Sequence, residues 1–288
     1  MEKKIAIVSG ASSGMGAECV RQLAAAYPGL DRIWVIARRK GRLEQLAKEV
    51  PVPLKIFEAD LSRKKEYAAL RRALEEKQPQ VRFLVNAAGF GKIGSFEDLD
   101  EDDACGMAQL NVTALTRLTH VVLPYMAAGS RIIQFASSAA FLPQPGFAVY
   151  AASKSYVLSL SRALGRELAP RGIRVTAVCP GPVKTEFFDI AEQGGNHIPF
   201  YKNLVMADPV AVVRKTLRDA EEGRAVSVYS LRMQAFAVAA KVLPHGLFLP
   251  LFRPESRKAE AAPEERRTHL LHAGKHVPEA GADGEPKE

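Results

Sequence analysis

The 288-residue chain is poor in cysteine: Cys19, Cys105 and Cys179 are odd in number and far apart. That excludes the disulfide framework of a small secreted domain and fits a reducing compartment. There is one tryptophan, and the 40 lysines and arginines are scattered among 32 acidic residues with no aromatics interleaved. The formal charge of +8 therefore reads as a solvated basic surface, favouring an anionic cofactor or an acidic lipid surface; no nucleic-acid partner is expected. Long hydrophobic runs are also missing. The apolar stretch after Met1-Glu2-Lys3-Lys4 is only Ile5 to Val8, too short for the core of a signal peptide, so a cytoplasmic protein is expected. His269, His272 and His276 share a helical spacing, but no carboxylate or cysteine framework supports them, and no metal is expected.

What is present is a chain that is 47% hydrophobic and 25% charged, enough for one sizeable core. Short apolar runs at 4–9, 32–37, 54–58, 83–86, 131–136, 174–179 and 225–229 are continuous in Val, Ile, Leu and Phe, the mark of strands buried on both faces. Helical spacing fills 14–27, 40–49, 64–77, 102–125, 150–169 and 209–222. This alternation predicts an α/β fold with a doubly wound, Rossmann-type, seven-stranded parallel sheet in a single domain over residues 1–230. Residues 231–253 are expected to be a hydrophobic, amphipathic extension, too short and too interrupted by Pro244 and Pro250 to span a bilayer; a helix packed on the main core or at a subunit interface is the favoured reading, a cap on a cleft or a contact with a membrane surface the alternatives. Residues 254–288 are charged, nearly devoid of core residues, and expected to be disordered.

Directly after the first strand stands Ser9-Gly10-Ala11-Ser12-Ser13-Gly14-Met15-Gly16. Glycines there permit a tight turn and close approach of backbone to ligand, while the next helix offers free N–H groups to a pyrophosphate. Gly10, Ser12, Ser13, Gly14, Met15 and Gly16 are thus candidate cofactor residues. The second strand ends Ala37-Arg38-Arg39, where a carboxylate would mark NAD. Arg38 and Arg39 instead suit a 2′-phosphate, so NADP(H) is the expected cofactor.

Tyr150 stands four residues before Lys154 and thirteen after Ser137. If Tyr150 begins a helix, Lys154 lies one turn along the same face, and its ammonium can bring the phenol, with an ordinary pKa of about 10, nearer the working range of a proton donor. Ser137 could then hold a carbonyl oxygen.

With Asn86-Ala87-Ala88-Gly89 and Tyr150-Ala151-Ala152-Ser153-Lys154 following the glycine loop in order, residues 3 to 230 resemble the short-chain dehydrogenase/reductase family. The resemblance implies that Asn86, Ala87 and Gly89 support the sheet beside the cofactor and that Asp60 with Leu61 flanks the adenine. It implies that Asn111, in Leu110-Asn111-Val112, completes a catalytic tetrad with Ser137, Tyr150 and Lys154 by holding a water that links the lysine to solvent. Lys154 would also hydrogen-bond the nicotinamide ribose. Pro180-Gly181-Pro182-Val183-Lys184-Thr185 is similar to the loop that packs on the nicotinamide, with Val183 and Thr185 at the carboxamide. Ser137 fits the family serine and Ser138 supports it. The chain departs from the family pattern at Ser9, where threonine is usual, and in its extension beyond residue 230.

The expected activity is NADP(H)-dependent reduction of a ketone or aldehyde, or the reverse. The segment from Glu186 to Tyr201 is expected to be a lid. Its aromatic and aliphatic content, with Phe90, Ile93, Phe141, Leu142 and Phe147, suggests a lipophilic substrate of 3-oxoacyl or hydroxysteroid type. His197 falls in the lid as a loop residue. A non-catalytic NADP-binding sensor or scaffold, and a lipid reductase with weak membrane-surface contact through residues 231–252, are the alternatives. The resemblance also implies a homodimer or homotetramer.

Overall fold

A computed structural model describes residues 4–193 and 206–252. Seven strands, β1 (Lys4–Ser9), β2 (Arg32–Ala37), β3 (Leu54–Glu58), β4 (Gln80–Asn86), β5 (Arg131–Phe135), β6 (Arg174–Val178) and β7 (Val226–Ser227), form one parallel sheet in the order β3-β2-β1-β4-β5-β6-β7. The order reverses between β1 and β4, so the carboxyl ends of these strands open a crevice of the kind in which α/β sheets bind nucleotides.

Helices α1 (Gly14–Ala26), α2 (Lys40–Glu49), α3 (Ala68–Lys77), α4 (Glu101–Ala108), α5 (Leu115–Val122), α6 (Ala148–Glu167), α7 (Phe187–Ala191), α8 (Pro209–Glu222) and α9 (Leu231–Val242) complete the described fold. The central strands bury both faces, which is why their sequences run apolar without alternation. One core, around Ile7, Leu74, Leu84, Leu118 and Ile132, lies under α3 and α5; the other, around Val8, Val20, Leu23, Val35 and Val213, lies under α1 and α8.

β4 starts at Gln80, three residues before its expected run, and four further elements differ more instructively. The helix expected over 102–125 is α4, a π-helical stretch Gln109–Ala114, α5 and a 3-10 turn Leu123–Tyr125. Its single apolar stripe hides the insertion, because a π turn changes register without interrupting the run. The stretch 64–77 opens as a 3-10 turn, Lys64–Tyr67, before α3. β7 pairs only Val226 and Ser227 with β6, shorter than the apolar run 225–229, since an edge strand has a single neighbour. Helix α6 begins at Ala148, so Tyr150 lies inside its first turn.

α9 packs against the 3-10 turn Ser138–Phe141, and Phe236, Ala240 and Phe248 join the same apolar cluster as Phe147 and Tyr150. The extension therefore packs on the main core beside Tyr150. Among the described residues no helix is long and apolar enough to cross a membrane, and no group of side chains could hold a metal ion. His197, the lid beyond residue 193, and the stretch 254–288 with its three histidines lie outside the described residues.

Candidate active site

The site begins where β1 turns into α1. Gly10 has φ +67°, and a Cβ there would lie 2.6 Å from the Ala88 amide nitrogen, so only glycine lets this turn touch the end of β4. A Cβ on Gly16 would come within 2.2 Å of the Gly10 carbonyl oxygen, which fixes the start of α1 against the loop. The Ser9 hydroxyl accepts from Ala88 N at 3.3 Å, so serine at this position still ties the two strand ends together. Ser13 occupies the N-cap of α1 but makes no side-chain cap bond, leaving the first N–H groups of the helix turned to the groove.

A groove of about 570 Å³ runs from this loop over the sheet, lined by Ser12, Ser13, Met15, Arg38, Arg39, Asp60 and Leu61 on one side and Ala87, Gly89 and Thr185 on the other. The sheet therefore brings the expected cofactor residues Gly10, Ser12, Ser13, Gly14, Met15, Gly16, Arg38, Arg39, Asp60, Leu61, Ala87, Gly89 and Thr185 to one groove. Asn86 lies beneath it: its amide donates to Thr119 Oγ1 at 2.9 Å and to Gln134 Oε1 at 2.8 Å, stitching β4 to α5 and β5. Arg39 donates to Ser13 Oγ at 2.6 Å, to Ser12 Oγ at 3.2 Å and to Glu186 Oε2 at 3.0 Å. The Asp60 carboxylate accepts from Ser62 N and Oγ at 3.0 and 2.7 Å, which with Arg38 and Arg63 nearby holds it below the usual carboxylate range despite an opposing desolvation.

At the inner end of the groove lies a smaller cavity of about 90 Å³, lined by Met15, Ser137, Tyr150, Lys154, Gly181, Val183 and Thr185, with Phe147, Phe187 and Phe188 as its aromatic wall. The structure thus gathers Ser137, Tyr150 and Lys154 with Pro180, Gly181, Val183 and Thr185. Ser137, extended at the end of β5, accepts from Ala139 N at 3.1 Å and lines the same cavity as the Tyr150 phenol. Tyr150 stacks on Phe147 with ring centroids 4.3 Å apart and meets Phe187 at 5.3 Å. Lys154 Nζ donates to the Phe135 carbonyl at 2.9 Å and stands 5.5 Å from the Tyr150 ring centroid.

The electrostatics depart from the expectation that Lys154 brings the Tyr150 pKa down. Burial dominates and pushes the phenol above its ordinary value, with the Ser137 hydrogen bond opposing it. Burial also lowers Lys154 to about 8. The Cys179 thiol, fully buried beside both groups, is pushed up to about 12 by desolvation. The shared cause is the apolar wall, which penalises every charged form at once.

Asn111 sits in the π-helical stretch and is fully buried. Its Oδ1 accepts from Phe90 N at 3.1 Å, and its Nδ2 donates to Phe90 O at 2.9 Å and Ser153 Oγ at 3.0 Å. A Cβ on Gly89 would lie 2.8 Å from Asn111 Oδ1 and 3.3 Å from Lys154 Nζ, so these two side chains converge on one glycine. Val183 and Ala207 pair as a short bridge that anchors the loop after β6, and Thr185 Oγ1 accepts from Phe187 N at 3.4 Å where α7 starts.

Of the residues expected to form a lipophilic wall, Phe147 lines the inner cavity and Phe90 the groove. Phe141 and Leu142 line a neighbouring cavity of about 530 Å³, and Ile93 is buried, its N–H bonded to Ala191 O at 2.9 Å. Sequence reasoning missed Gly91, whose Cβ would press within 2.7 Å of the Phe147 ring, and Ser153, which receives Asn111. It also missed Tyr67, whose hydroxyl donates to Leu61 O and Ala114 O at 3.0 and 3.1 Å and ties the groove floor to the π stretch. Glu186, expected only as part of the lid, bonds both Arg39 and Arg42.

Comparison with known proteins agrees with this arrangement. Sulfoacetaldehyde reductase 2 of Chromohalobacter salexigens is 34% identical over 201 residues, covering 67% of this chain and 77% of that protein. A short-chain dehydrogenase from Sphingobium yanoikuyae, solved in complex with NADPH, superposes with a TM-score of 0.70 at 29% identity over 91% of this chain and 99% of its own. The bulky-bulky ketone specific alcohol dehydrogenase from Comamonas testosteroni matches with a TM-score of 0.67 at 27% identity over 92% of this chain and 99% of its own. Residues 1–230 are four-fifths of the chain, so both superpositions run past residue 230, and the extension is no departure from these two structures. The model of the short chain dehydrogenase family matches residues 4–194, the span that holds the glycine loop, Asn111, Ser137, Tyr150 and Lys154. The chain therefore belongs to the short-chain dehydrogenase family, whose members are oxidoreductases acting on alcohol and carbonyl groups.

Proposed function

We propose that the chain is an NADP(H)-dependent reductase of a lipophilic ketone or aldehyde, of 3-oxoacyl or hydroxysteroid type, working also in reverse. The observation that carries this is the convergence of Ser137, Tyr150 and Lys154 on an aromatic cavity that opens onto the glycine-loop groove. The groove fits a nicotinamide dinucleotide: Gly10 and Gly16 bring backbone close, α1 turns free N–H groups to a pyrophosphate, and Arg39 stands where a 2′-phosphate would need it. The NADPH bound by the Sphingobium enzyme supports the same choice. When bound, the cofactor supplies a hydride from its nicotinamide C4.

The chain's own residues do the rest. Ser137 holds the carbonyl oxygen, and Tyr150, kept protonated at neutral pH by its burial, gives that oxygen a proton. Lys154, fixed by the Phe135 carbonyl, places a cation behind the phenol and reaches towards the nicotinamide ribose. Asn111 sets the Gly89–Phe90 backbone and Ser153 around the lysine, the path by which the proton is replaced from water. Asp60 and Leu61 flank the adenine, while Val183 and Thr185 face the carboxamide. Phe147, Phe187 and Phe188 support the lipophilic substrate, and the bulky ketone taken by the Comamonas enzyme accords with it.

NADPH and NADH consumption across acyl, steroid and small aromatic ketones tests this. The expected result is faster turnover with NADPH and with the bulkier ketones; activity confined to small polar carbonyls, or an NADH preference, contradicts it. A weak contact with acidic lipid is supported by exposed Leu231, Val238 and Val242, which share one face of α9 between Arg232 and Lys241. Flotation with anionic liposomes, lost on truncation at Ser230, tests it. For self-association as a homodimer or homotetramer the half-exposed Tyr156, bonded to Thr116 across α5 and α6, offers a surface, and sedimentation is the test.

A further inference from the structure

Two arginines stand at the rim of the groove where the adenosine end of a dinucleotide would lie, and both already hold an anion. Glu186, directly after Thr185, places Oε2 3.0 Å from Arg39 NH1 and binds Arg42 through Oε1. Its carboxylate spans the groove from the loop after β6 to the start of α2, and its side chain is 41% exposed, open to exchange with solvent. Arg39 gives three further donors to Ser12 and Ser13 of the glycine loop. Positive charge in the first turn of α2 is unfavourable against the helix dipole, so capping does not explain this pair of cations, and Glu186 offsets them. A phosphate monoester is held by the paired nitrogens of a guanidinium, and Glu186 already takes a terminal nitrogen of both Arg39 and Arg42, so the two anions compete for the same donors.

We propose that Glu186 is an internal competitor for the 2′-phosphate of NADP(H): binding of NADP(H) exchanges the Glu186 ion pairs for phosphate ion pairs, while NAD(H) leaves them in place. This rests on the NADP(H) reading above. Glu186 thereby sets how strongly the enzyme discriminates between the two cofactors. It weakens the arginines' grip on the phosphate without touching the nicotinamide end, and makes NADP(H) binding depend on displacing a side chain that leads into α7.

Calorimetry on the full chain and on Glu186→Gln, with NADP+, NAD+ and adenosine 2′,5′-bisphosphate, tests the proposal. The expected result is NADP+ and the bisphosphate bound about three- to tenfold more tightly by the variant, the loss of one or two exposed ion pairs, with NAD+ changed less than twofold. Glu186→Ala should move all three ligands the same way. If the unmodified chain does not favour NADP+ over NAD+, the cofactor reading fails and this inference with it. If it does favour NADP+ but the variants bind NADP+ equally or more weakly, or tighten NAD+ as much, Glu186 is an orienting partner of the arginines and the inference alone is overturned.

Discussion

Gly89→Ala would place a methyl group 2.8 Å from Asn111 Oδ1 and 3.3 Å from Lys154 Nζ. The first distance is shorter than a Cβ tolerates, and the oxygen cannot simply swing away, because the Asn111 amide is held at both ends by Phe90 and on its third side by Ser153. Overpacking of this kind costs about 1–3 kcal/mol, and loss of one or two of the Asn111 bonds adds roughly 0.5–1.5 kcal/mol each. The expected destabilisation is therefore about 1.5–6 kcal/mol, read as a fall in Tm of roughly 3–24 °C. The kinetic effect is separable. Lys154 sits on the far side of the same methyl, and a displacement of about 1 Å at a catalytic group lowers turnover on the order of 100-fold. Differential scanning calorimetry and steady-state NADPH oxidation on one preparation give both numbers. A variant with unchanged Tm and kcat would refute the argument that Asn111 and Lys154 are fixed against the Gly89 backbone.

Two more predictions concern the buried lysine and the extension. Lys154 is lowered by burial to about 8, so its charge is present below that pH and lost as pH rises through it; kcat for carbonyl reduction should fall above about pH 8, and Lys154→Arg, whose charge persists, should flatten that limb at a lower rate. A flat profile to pH 10 in the unmodified enzyme would mean that the lysine charge is not used. Truncation at Ser230 removes Phe236, Ala240 and Phe248 from the cluster around Tyr150; KM for a bulky ketone should rise about tenfold or more while NADPH affinity stays within a factor of about two, a split that loss of two half-buried aromatics is large enough to produce.

How much of this was legible in the chain follows from what carries each signal. Strands β1 and β2 coincide with their apolar runs because both faces of a central parallel strand are buried, and β3, at the sheet edge, coincides with its run although only Phe57 in it is buried. The glycine loop could be placed because Gly10 and Gly16 answer to backbone geometry that no other residue satisfies. Tyr150, Lys154 and Ser137 share a local spacing, and the sheet brings them together as expected. The π turn around Asn111 leaves no mark on an apolar stripe, while Ser153 meets Asn111 across 42 residues, Tyr67 meets Ala114 across 47, and Gly91 acts through a ring contact that spacing does not encode. Glu186 was legible only as part of a lid, since its partners Arg39 and Arg42 are 147 and 144 residues distant. The direction of the Tyr150 shift was misjudged for a related reason: proximity to Lys154 is visible in sequence, whereas the burial that outweighs it is a property of the packed cavity.

The central claim is that the Tyr150 phenol delivers the proton. Tyr150→Phe keeps the ring stacked on Phe147 and removes only the hydroxyl. Turnover of a ketone with NADPH, measured beside NADPH binding by fluorescence, should drop by at least about 100-fold with affinity nearly unchanged; turnover at the unmodified rate would contradict the account.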